Sequence, residues 1–82
     1  MRWFSPKVPV RTKQPGMRYM VSSVQVAAEH LLEWEKRGPK WRKAVEACVA
    51  GIEGKVEPND VSKAFEAAAK EAGMLLPRLD DD

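Results

Sequence analysis

Two apolar ladders in the second half of the chain constrain the fold more than any other feature. Trp41, Ala44, Val45, Cys48 and Ile52 recur at steps of three and four residues, and Val61, Ala64, Phe65, Ala68 and Ala72 do the same. At 3.6 residues per turn each set lines up along one side of a helix. Two such stripes so close together predict a helical hairpin, each helix covering the other's apolar face. A further helix is predicted upstream, with Val24, Ala27, Ala28, Leu31 and Trp34 as its stripe and Leu32 widening it. It opens near Ser22 or Ser23, and Ser22 with Gln25 has the spacing of a capping box. Gly38 and Pro39 close it and begin the next, since proline suits a first helical position. The second helix is predicted from about 40 to 53, stopped by Gly51 and Gly54. Pro58 opens the third, which runs to Gly73 as a left-handed C-cap.

Residues 1–23 carry a different period. Val8, Val10 and Thr12 alternate with Lys7, Pro9, Arg11 and Lys13, and after Gln14-Pro15-Gly16 the residues Met17, Tyr19 and Val21 alternate with Arg18, Met20 and Ser22. Period two on both arms of a Pro-Gly turn predicts a β-hairpin. Pro-Gly favours a type II turn, whose twist suits a two-residue hairpin poorly, so a longer or bulged loop is expected. Pro9 cannot donate a ladder hydrogen bond, which makes its strand an edge or interrupts it. An isolated hairpin is marginal in water, so its Val8, Val10, Met17, Tyr19, Val21 face must lie on the helices. Met74-Leu75-Leu76 forms a short apolar tail that is expected to pair beside the hairpin as a third strand. The fold class is therefore α+β, with one domain over 1–77 and an acidic tail over 78–82. Eighty-two residues bury only about two thirds of the unfolded surface, so the core is small.

Composition excludes several function classes. The apolar runs are far short of the roughly 20 residues that span a bilayer, and residues 1–7 lack the apolar stretch of a secretory signal. A cytoplasmic location is expected. The single cysteine, Cys48, forbids an intrachain disulfide, and its place on an apolar stripe reads as a buried core thiol. One cysteine and one histidine do not make a structural zinc site, and neither a metal nor a cofactor is expected. Catalysis is disfavoured, because His30 is the only histidine available as a base. His30 is expected to stack on Trp34. An enzyme would need it in a cleft beside a second polar group.

Charge is distributed unevenly. Residues 1–28 hold five bases and no acid, while residues 29–82 hold nine bases and twelve acids, a net of −3. The segment Trp34 to Lys43 interleaves five bases with two tryptophans, a pattern that suits phosphate contact and base stacking. Both tryptophans also fall on helix stripes, where they would clamp the corner between helices. A recognition helix is disfavoured, because the third helix carries Glu57, Asp60, Glu66 and Glu71 against Lys63 and Lys70. Arg11, Lys13 and Arg18 share a hairpin face, where bases commonly block edge-to-edge aggregation.

In order along the chain, several motifs have a combined signature. They are Pro9-Val10 in a basic strand, Arg18 to Ser22, Ala28-Glu29-His30-Leu31-Leu32, and Trp34 before Gly38-Pro39. Ala44, Cys48, Gly51 and Gly54 follow, then Ala64-Phe65-Glu66-Ala67-Ala68 and Glu71-Ala72-Gly73. Over residues 3–77 the chain resembles a family of small uncharacterised proteins, a domain of unknown function found mostly in rhizobial soil bacteria. The resemblance implies a short hairpin plus helices, a cytoplasmic protein and no assigned activity. The sequence thus favours a non-enzymatic protein that binds another protein through an edge strand, as a monomer or weak homodimer. The alternative is nucleic-acid binding through Arg11, Lys13 and Arg18 of the hairpin and Lys36, Arg37, Lys40, Arg42 and Lys43 of the corner.

Overall fold

A computed structural model describes residues 3–12 and 16–76. Lys13, Gln14, Pro15 and the acidic segment 78–82 lie outside the described residues. The element order is β1 (Trp3–Arg11), β2 (Arg18–Ser23), α1 (Val24–Glu33), α2 (Pro39–Ile52) and α3 (Pro58–Glu71). This is the α+β arrangement the two periodicities require, and α2 and α3 form the most extensive helix–helix contact.

β1 and β2 pair antiparallel, with Val8 opposite Val21, Pro9 opposite Met20, Val10 opposite Tyr19 and Arg11 opposite Arg18. The register shifts between Trp3 and Val8, so the ladder is bulged near its open end. The apolar tail comes back to the other side of β1. Leu75 bridges Val10 antiparallel. The Arg11 amide donates to the Met74 carbonyl at 2.8 Å, and the Leu76 amide donates to the Pro9 carbonyl at 3.0 Å. Pro9 therefore lies in the middle strand, with its missing N–H on the tail side. The Met74 amide is taken by the Ala69 carbonyl at 2.8 Å, so tail pairing is limited to a short rung on each side of Leu75.

Val8, Val10 and Val21 are fully buried against the helices. Met17 and Tyr19, expected on the same covered face, are 56% and 45% exposed, and Tyr19 is covered only in part, by His30 of α1. Ser23, not Ser22, caps α1: its hydroxyl accepts from the Val26 amide at 3.2 Å. α1 ends at Glu33, five residues before Gly38. Trp34 already has an extended backbone, and Leu32 is 64% exposed rather than part of the stripe.

Both later helices end in the same way. Gly54 and Gly73 adopt left-handed φ values of 81° and 73°. The Lys55 amide reaches back to Ala50 and the Met74 amide to Ala69, each at 2.8 Å, while the Gly54 and Gly73 amides bond to the next carbonyls, Gly51 and Lys70. That is the paired bond pattern of a Schellman cap. Gly51 does not stop α2. It is buried within the helix, where a Cβ would meet Val61 Cγ2 at 2.7 Å and Val24 Cγ1 at 3.3 Å. Its role is close approach of three helices. The core is completed by Phe65, which is fully buried and stacks on Trp34 with ring centroids 5.4 Å apart.

Candidate functional site

The basic corner between α1 and α2 is organised by the end of α1. A helix leaves its last carbonyls without intrahelical partners. Here the Trp41 indole donates to the Leu31 carbonyl at 2.7 Å, and Arg37 donates from Nη2 to Leu32 at 2.8 Å and from Nε to Trp34 at 3.0 Å. The Arg37 guanidinium also lies 4.6 Å from the Trp41 ring centroid. Arg37 and Trp41 thus cap a helix and cover each other. Lys36, Lys40, Arg42 and Lys43 remain exposed.

The start of α2 has its own electrostatic problem. Its first turn has no acid, its N-cap is Gly38 with no capping side chain, and its opening residues carry bases against the positive end of the helix. Glu71, at the end of α3, supplies the missing carboxylate. Its Oε1 accepts from the Lys40 amide at 3.2 Å. The absence of a side chain at Gly38 leaves room for this approach, since a Cβ there would displace the Glu71 carboxylate. Sequence reasoning missed Glu71 because its partner is 31 residues away. The available signal was a helix N-terminus rich in bases and lacking any acid.

His30 is not stacked on Trp34. Because Trp34 leaves the helix, its ring turns to Phe65, and His30 instead meets Tyr19 of β2 with centroids 5.0 Å apart. Burial pushes the His30 pKa down, with Glu33 and Glu29 pulling it up more weakly. His30 lines a half-open cleft of about 500 Å³. Arg11 and Thr12 come from the end of β1, Glu33 from α1, Trp34 to Lys36 from the link, and Ala72 and Met74 from the end of α3. The cleft brings Arg11 and Lys36 together from the two basic segments. Arg18 faces Arg11 across the strands, and Lys40, Arg42 and Lys43 belong to α2 outside the cleft. Burial pushes the Cys48 thiol up to about 11, so it stays protonated within the core.

The sheet has two unlike edges. Strand geometry alternates the direction of successive backbone groups. With Arg11 and Pro9 bonded to the tail, Val8 and Val10 face β2, and Tyr19 and Val21 face back to β1. The N–H and C=O groups of Met20 therefore point outward, on a strand without proline and with Met20 itself 40% exposed. Among the described residues, β1's side is closed by the tail and no strand pairs on β2's outer side.

These features define a small α+β domain, a hairpin extended by its own C-terminal segment over three helices. The chain belongs to the DUF982 family, described as protein of unknown function, whose model matches residues 7–76. No curated protein and no solved structure matches it significantly. Among the described residues, no helix is long and apolar enough to cross a membrane, and no group of three or more His, Cys, Asp and Glu side chains could hold a metal ion.

Proposed function

We propose that this protein acts without catalysis, as a cytoplasmic monomer or weak homodimer that binds another protein through the outer edge of β2. The observation that carries the reading is the outward-pointing backbone of Met20, flanked by exposed Met17 and Tyr19. An extended segment can add to such an edge by main-chain hydrogen bonds, with specificity coming from side chains on alternate faces. The buried, protonated Cys48 and the absence of a second histidine support a binding role over a nucleophilic one.

Nucleic-acid binding is the second reading, supported by exposed Lys36, Lys40, Arg42 and Lys43. It is weakened by Arg37 and Trp41, whose polar groups are engaged in capping and whose faces cover each other. The test compares the wild-type chain with Met20→Pro, which removes the outward N–H. A photo-crosslinker at Tyr19 should capture a partner with the first and lose it with the second at matched thermal stability. Equal capture by both would refute the edge. A salt-sensitive anisotropy change with DNA or RNA would favour the alternative.

A further inference from the structure

The cleft beside His30 is independent of the β2 edge and has a distinct chemistry. Its volume of about 500 Å³ falls within the usual range of small-molecule sites, about 300 to 1,000 Å³. Trp34, Ala72 and Met74 give it an apolar side. Around that side stand two cations, Arg11 and Lys36, and two carboxylates, Glu33 and Glu35. No salt bridge joins these four to one another, and the ion pair of Lys55 with Glu53 lies away from the cleft. Charges of both signs held round one opening, and not spent on one another, suit a ligand that carries both signs itself.

We propose that this cleft binds a small zwitterion with an apolar side chain, an α-amino acid in chemical class. The carboxylate faces Arg11 and Lys36, the ammonium faces Glu33 and Glu35, and the side chain lies against Trp34 and Met74. A peptide terminus offers one charge where the cleft offers partners for two. A purely apolar ligand leaves both pairs of charges unused, and partly desolvating charges without partners is costly.

The experiment is an amide NMR titration of the full chain with L-phenylalanine, phenylacetate and phenethylamine. Phenylalanine should shift resonances of residues 11–12, 30–36 and 72–74, and should bind at least tenfold more tightly than either single-charge analogue. Lys36→Gln and Glu33→Gln, both exposed positions, should each weaken phenylalanine severalfold with the melting temperature unchanged. Only Lys36→Gln should weaken phenylacetate. Equal affinity for all three compounds would reduce the cleft to an apolar surface and overturn the assignment. So would the absence of shifts at millimolar ligand, or shifts confined to other parts of the domain.

Discussion

Gly51→Ala sets two opposed effects against each other. In an exposed helix interior, glycine to alanine gains about 1 kcal/mol through backbone entropy. At Gly51 the new methyl would lie 2.7 Å from Val61 Cγ2 and 3.3 Å from Val24 Cγ1. Both neighbours are β-branched, fully buried and helical, so neither can swing aside cheaply. Overpacking of this kind costs roughly 1 to 3 kcal/mol. Because the clash involves two stiff residues on two helices, we set it near the top of that range. The net expectation is a loss of about 1 to 2 kcal/mol. For a domain of this size that lowers Tm by roughly 4 to 16 °C. Urea and thermal unfolding followed by circular dichroism would read it. Val61→Ala, harmful alone, should partly relieve Gly51→Ala, giving a coupling of about 1 kcal/mol in a double-mutant cycle. A Gly51→Ala protein that melts higher than wild type would refute the close three-helix approach.

Other variants test other parts of the account. Phe65→Ala should cost roughly 3 to 5 kcal/mol and leave the chain largely unfolded, because it removes the largest fully buried side chain and the partner of Trp34; a near-normal melt would show that the core is organised elsewhere. Glu71→Gln keeps an acceptor for the Lys40 amide but removes the charge, so it should cost less than Glu71→Ala, for which about 1 kcal/mol is expected. Identical melting of both variants and wild type would exclude the cap. Since burial lowers the folded pKa of His30, the folded state binds that proton less readily than the unfolded chain. Its contribution is intact above the ordinary histidine value of about 6.5 and is lost as pH falls through the lower folded value. His30→Gln should flatten the decline of Tm in that window, and an unchanged slope would contradict the shift.

Much of this fold was legible because hydrophobic period is a local property. Val61, Phe65 and Ala68 on one helix, and Val8, Val10 and Val21 on the hairpin, lie on the core where their spacing put them. The tail pairs beside the hairpin for the reason the sequence suggested: Met74 and Leu75 are apolar and need cover. What misled was tertiary. Gly51 looked like a stop, since nothing local says that Val24 and Val61 press on it. Trp34 completed a helical stripe on paper, yet Arg37 and Trp41 cap the helix one residue before it. The basic corner looked like a single patch, but one of its arginines is a cap. Glu71 and the cleft were hidden because each is assembled from the ends of elements far apart in the chain.

The most direct test of the central claim, a sheet with one closed and one open edge, is residue-resolved amide hydrogen exchange on the isolated protein. The Arg11 and Leu76 amides, bonded to Met74 and Pro9 across the tail, should be protected. The Met20 amide, pointing away from β1, should exchange much faster than its neighbours Tyr19 and Val21. Protection at Met20 equal to that of Val21, together with fast exchange at Arg11 and Leu76, would mean that the tail covers the other edge or none, and the account of β2 as the binding edge would fail.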